Sequence, residues 1–241
     1  MMASIATSQP AALPDKIGGV LRLFAAHGSP RILAAALAAA LLVRAFLGAF
    51  GRWDLVVVAA IAVFWPLQEW LIHVFILHAE PGRGIARLDP RTARLHRAHH
   101  LDPWQPELLF IPRHTFLFAL PILFGIYAAL LPTWPLAFTA IATHLALALH
   151  YEWVHLLVHT RYRPRSAVYR RLWRNHRLHH FKNEKLWFGV TMLSGDWLLR
   201  TAADPGAVAT SPDCRTLGRE EDLGAEGVSR HPQGMTESSA R

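Results

Sequence analysis

His176-Arg177-Leu178-His179-His180 decides how this chain folds, because the same pattern stands earlier as His96-Arg97-Ala98-His99-His100. Each H-x-x-H-H copy lies in a basic stretch that follows a long apolar one. Two further pairs, His73…His78 and His155…His159, stand at the ends of those apolar stretches. Ten of the 15 histidines fall in these four boxes. Imidazole binds metal in its neutral form and is the commonest side-chain metal ligand. A lone histidine on an apolar helix is usually a packed polar residue, and a lone one in a basic loop is usually solvated. Four boxes in one chain favour metal binding over either reading, with nitrogen enough for two ions.

Working outward, the intervening apolar runs are long. Apolar residues make up 52% of the 241 residues and charged residues 17%, a balance tilted towards membrane protein. Four spans are expected. They run over 32–50, interrupted only by Arg44, over 53–77, over about 115–131 with Pro121 a kink, and over 136–158. The turns at 51–54 and 131–135 hold one basic residue, Arg52, whereas 79–114 holds six arginines and 160–200 ten Lys/Arg. The positive-inside rule then puts those two segments, both termini and all four boxes on the cytoplasmic side. The formal charge of +8 is explained by these membrane-flanking loops, which argues against nucleic acid. The single cysteine, Cys214, excludes a disulfide framework and a cysteine-based metal site. The expected organisation is a cytoplasmic lead-in over 1–30 that lacks a signal-peptide pattern, a membrane-embedded body over 31–200, and a disordered polar tail over 201–241.

Local signals place the histidines. Asp89-Pro90 predicts a capped helix over 90–100, and Ser166 caps a second before His176. On each, the three histidines project from one side. His155 and His159, four apart, share a face. His73 and His78, five apart, diverge by roughly 140° on an ideal helix, which suits different metals or a helix ending between them. Glu69 and Glu152 are candidates to accept the distal imidazole N–H of His73 and His155 and so fix the tautomer; Asn175 is a weaker one. His27 and His231 read as solvated, His114 as interfacial, and His144 and His150 as packed polar residues.

These boxes, the Glu69-Trp70-x-x-His73 lead-in, the stretch Asn175 to Phe181, and the Trp187-Phe188-Gly189-Val190-Thr191 and Gly195-Asp196 segments carry a resemblance over about 60–200. The chain resembles the fatty acid hydroxylase/sterol desaturase superfamily of integral-membrane non-haem di-iron enzymes. The resemblance implies an all-α fold, a four-helix membrane bundle under a helical cytoplasmic cap. It implies His73, His78, His96, His99, His100, His155, His159, His176, His179 and His180 as ligands of two iron ions. Imidazole alone suits zinc equally. It further implies O2-dependent hydroxylation of an unactivated C–H bond in a lipid or fatty acyl chain. No cytochrome b5-like stretch is present, so the expected electron donor is a separate protein. Trp70 stands where fatty acid 2-hydroxylases tend to have tyrosine, and His155-x-x-x-His159-x-Arg161-Tyr162-Arg163-Pro164 is also similar to beta-carotene hydroxylases, so desaturation or carotenoid hydroxylation is the near alternative. Outside the enzymes, a metal transporter would spread its histidines across the bilayer rather than cluster them on one side, and a non-catalytic metal protein would share the cluster.

Overall fold

The computed structural model describes residues 13–80 and 83–217. Among them there are helices and no strand. The first helix, α1, runs Ile17–Ala26, and α2 follows at once as Gly28–Leu47. Gly48, at φ 60°, ends α2 in a conformation that glycine adopts without steric cost. α3 spans Arg52–Ile72 and continues as a π-helical turn over His73–Leu77. Then come α4 (Pro90–Leu101), α5 (Phe116–Leu130), α6 (Trp134–Val158), α7 (Ala167–Phe181) and the short α8 (Ser194–Leu198).

The central element is α6, which packs against α2, α3 and α5. Where α2 meets α6 the contact is built from Leu33, Ala36, Leu37 and Ala40 against Ile141, Ala142, Leu145 and Ala148. The alanines let the backbones approach, as in helix pairs that must associate without help from water. The charge that interrupts the apolar run of α2 is absorbed: Arg44 is buried, pairs with Asp54 at 2.6 Å and hydrogen-bonds Thr139 at 2.7 Å. That trio ties the α2–α3 turn to α6, because a guanidinium at membrane depth needs a partner.

Large apolar side chains point outward instead of inward on the other helices. Phe46 is 90% exposed, Val63 79% and Leu117 80%. Patches of this kind on a water-facing protein would drive association, and lipid is the solvent that suits them. Three segments, Gly28–Leu47, Arg52–Leu77 and Pro106–Leu130, are long and apolar enough to cross a membrane. The expected fourth span forms as α6, but it does not share that apolar character. It carries His144, His150, Glu152 and His155, and its place at the centre buries much of its surface.

Both ends of the described stretch enter the body further than the sequence implies. Val20 of α1 is fully buried with Leu109, Leu156 and Leu157, so the lead-in joins the fold from α1 onward. Residues 201–217, expected to be part of a disordered tail, make main-chain hydrogen bonds to Trp187 and Lys182. Composition hid this, because those bonds use the backbone and are indifferent to polar side chains. Residues 1–12 and 218–241, with His231, lie outside the described residues.

Candidate metal centre

Two caps set the cap helices as expected. Asp89 accepts from Thr92 N at 3.1 Å at the start of α4, with Pro90 in the first helical position. Ser166 accepts from Tyr169 N at 3.2 Å at the start of α7. Their histidines then converge with those of α3 and α6. Five ring systems, His99, His155, His159, His176 and His180, form one group, and His73, His78, His96 and His100 a second, with the candidate nitrogens of each within 4.8 Å of one another. His179 Nε2 lies 3.1 Å from His78 Nε2, which sets it beside the second group. The groups adjoin, since His100 and His180 stack with ring centroids 4.1 Å apart.

The division follows helical angles. At 100° per residue, the i and i+4 histidines of H-x-x-H-H lie about 40° apart, and the i+3 histidine falls about 60° to the other side. The box therefore fans out and serves both groups. In α4, His96 and His100 go to the second group and His99 to the first; in α7, His176 and His180 go to the first and His179 to the second. Each group thus takes a membrane-helix pair, an i, i+4 pair from one cap helix, and the remaining histidine of the other.

His73 and His78 do not diverge as expected. The π-helical turn closes with His78 N donating to His73 O at 2.9 Å, and the rings sit 4.9 Å apart. An i→i+5 turn puts residues five apart on one face, and such turns recur at functional sites. The five-residue spacing is what the α-helix reading misjudged.

Glu69 and Glu152 also find other partners than the imidazoles. His73 Nδ1 bonds Phe188 O at 2.8 Å, and His155 Nδ1 bonds Leu109 O at 2.7 Å. The carboxylates act one step further back. Glu69 accepts from Val190 N, from Thr191 N at 3.0 Å, from the Thr191 hydroxyl and from Trp65 Nε1 at 3.1 Å. It thereby pins the loop that presents Phe188 O. Glu152 accepts from Ser29 Oγ and from Ile111 N, both at 2.7 Å, pinning the segment that presents Leu109 O. Asn175 also holds the 187–191 loop, donating to Gly189 O at 2.8 Å. The physical reason is supply: a carbonyl two or three residues along a pinned loop reaches a ring nitrogen that the carboxylate's own helix register does not.

Asp196 received no role from sequence, yet it is fully buried and accepts from Phe188 N (2.8 Å), Gly189 N (2.9 Å) and Thr201 Oγ (2.7 Å). The only signal for it was the Gly195-Asp196 dipeptide. Gly195 is required there, since a Cβ would stand 2.5 Å from the Pro66 carbonyl, and α8 could not seat on α3. His179 Nδ1 bonds Leu186 O at 2.8 Å and His100 Nδ1 bonds Cys214 O at 3.0 Å, contacts no side-chain pattern announces. The remaining histidines stay apart: His144 bonds Tyr127 and Gln68, His150 bonds Tyr169, and His114 pairs with Asp89. His27, expected in solvent, stacks on Phe110.

The donor set fits metal. Nine of the ten box histidines are buried, and among the described residues His73 Nε2, His96 Nε2, His99 Nε2, His100 Nε2, His155 Nε2 and His159 Nε2 have no hydrogen-bond partner. Buried ring nitrogens without partners are costly, and a cation satisfies several at once. Burial drives the His100 pKa down to about 3, and burial followed by neighbouring imidazoles holds His96, His99, His176 and His180 well below the usual range. All are therefore neutral near pH 7, the state that ligates. The His176 and His180 Nε2 atoms, 3.1 Å apart, have the spacing of two nitrogens each about 2.1 Å from one ion.

The helical bundle with outward apolar faces and a buried histidine cluster that could hold metal ions has the character of a membrane protein. The family model for fatty acid hydroxylase matches residues 58–201, and the chain belongs to that family. It is 30% identical over 144 residues to the ceramide very long chain fatty acid hydroxylase SCS7 of Saccharomyces cerevisiae, a match over 59% of this chain and 37% of that protein. The chain thus spans little more than a third of that curated relative. A solved structure of full-length Scs7p, in which only the hydroxylase domain is visible, superposes with a TM-score of 0.59 at 23% identity. That likeness covers 75% of this chain and 66% of the other, and shows the fold.

Proposed function

We propose that the protein hydroxylates an unactivated C–H bond of a lipid acyl chain, using O2 at a two-iron centre and electrons from a separate donor protein. The observation that carries this reading is the pair of buried imidazole groups, with partnerless nitrogens, at the end of apolar helices. Bound iron would supply the O2 chemistry. His99, His155, His159, His176 and His180 would hold one ion, and His73, His78, His96, His100 and His179 the other. The chain's own contribution is position and dryness. Carbonyls of Phe188, Leu186, Leu109 and Cys214 hold Nδ1 of four imidazoles, so that Nε2 faces inward. Nearly complete burial keeps bulk water from the reacting carbon. An acyl chain would arrive through the lipid-facing helices, and the yeast relative's name makes the fatty acyl part of a ceramide-type lipid the first substrate to test. The basic charge of the 79–114 and 160–200 segments supports a cytoplasmic side for the centre.

Metal analysis of the purified protein should give two ions per chain. Total lipid extracts of cells with and without the gene should differ by a gain of one oxygen in a lipid class, and His99→Ala or His179→Ala should abolish that gain. A loss of two hydrogens instead would convert the reading to desaturation. Unchanged lipids would sink the enzyme reading altogether.

A further inference from the structure

Residues 202–217 follow the stretch that the family model matches and contain no helix or strand. They nevertheless close one side of the second histidine group. Trp187 Nε1 donates to Ala203 O at 3.1 Å, fastening the start of the segment. Ser211 N donates to Lys182 O at 2.7 Å, at the C-terminal end of α7. Arg215 Nη2 donates to Leu101 O at 2.9 Å, the last residue of α4, and Arg97 donates to Leu217 O at 3.2 Å. The segment therefore straps together the ends of the two H-x-x-H-H helices. Between those fastenings Cys214, 8% exposed, turns its carbonyl to His100 Nδ1 at 3.0 Å.

That contact has a consequence for metal. His100 Nε2 is buried without a partner, and an imidazole whose Nδ1–H is engaged keeps its Nε2 lone pair aimed at one place. In the second group three of the rings are held this way, His73 by Phe188 O, His179 by Leu186 O and His100 by the strap. We infer that residues 202–217 are a positioning strap for the metal centre, with the Cys214 main chain fixing His100 so that the second histidine group retains its ion. Outer hydrogen-bond partners of ligating histidines are typically worth about 10–100-fold in metal affinity. The strap should act on the second group alone, since none of its hydrogen bonds reaches the first.

This inference rests on the ten histidines holding two metal ions, and the test separates the two failures. The full chain and truncations after Leu217 and after Thr210 are purified in detergent and loaded anaerobically with ferrous ion. Metal per chain is then measured against a graded series of chelator concentrations. Fewer than two ions in the full chain would overturn the two-metal reading itself. With two ions there, truncation after Leu217 should keep both, while truncation after Thr210 should lose one at about 10–100-fold lower chelator. Ser211→Pro, which removes the N–H given to Lys182 O, should weaken the same ion at full length, and it decides the matter where the truncated chain does not fold. Cys214→Ala should change nothing, because the contact is through the carbonyl. Equal chelator resistance in the Thr210 truncation, or in Ser211→Pro where the truncation does not fold, or metal loss in Cys214→Ala, would overturn the strap.

Discussion

Glu69 and Asp196 grip one loop from opposite sides. Glu69 takes the amides of Val190 and Thr191, Asp196 those of Phe188 and Gly189, and the carbonyl between them meets His73. Glu69→Gln turns one acceptor into an NH2 among the donors Val190 N, Thr191 N, the Thr191 hydroxyl and Trp65 Nε1, so this buried set loses an acceptor. The expected loss is about 1–3 kcal/mol of stability, read from unfolding in detergent, with weaker metal at the second histidine group and little change at the first. Equal loss from both groups would show that Glu69 supports the fold in general and not the loop. At this scale the sequence was partly legible. It pointed to Glu69 and Glu152 and to the ten histidines that the structure brings together. It could not show their connection, because the atoms between carboxylate and imidazole are main-chain carbonyls, which every residue carries.

Among elements, α4 and α7 were readable from their first residues, since Asp89-Pro90 and Ser166 are chemical start signals that act within three residues. Asp89 does more than cap. It also accepts from the Thr92 hydroxyl at 2.5 Å and pairs with His114 at 3.0 Å, whereas Ser166 makes its cap bond at the surface. Ser166→Ala should therefore cost about 1 kcal/mol, and Asp89→Ala clearly more, in paired unfolding measurements; equal costs would reduce Asp89 to a cap. The π-helical turn was not readable. Histidines five apart look misplaced on an α-helix and aligned on a π turn, and local propensity does not distinguish the two. Only the demand of the second group for both rings does so.

For the whole molecule, burying so many neutral imidazoles makes stability depend on pH. The folded chain holds His100 at about 3, while the unfolded chain titrates near 6.5. Between those values the unfolded state binds more protons, so stability rises with pH there and is lost as pH falls through the window. The metal-free protein should show its unfolding midpoint drop steadily from pH 6.5 downward, and loaded protein should release metal over the same range. A midpoint flat between pH 6.5 and 4.5 would mean that the imidazoles are hydrated in solution. The bundle was legible as a whole from long apolar runs. The inclusion of α1 and residues 201–217 was not, because their anchorage depends on Val20 filling a gap and on backbone bonds.

Four imidazole rings of the histidine cluster are aimed by carbonyls, and a carbonyl survives almost any amino-acid replacement. Changing Leu109, Leu186 or Cys214 for a residue of similar bulk leaves the aiming oxygen where it was. Adding or removing one residue in those loops does not, since it displaces every later carbonyl by up to about 3.8 Å. The centre is thus buffered against point mutation and vulnerable to changes of length. Natural variation in working relatives should accordingly alter the letters of the 186–191 and 107–111 loops far more freely than their number.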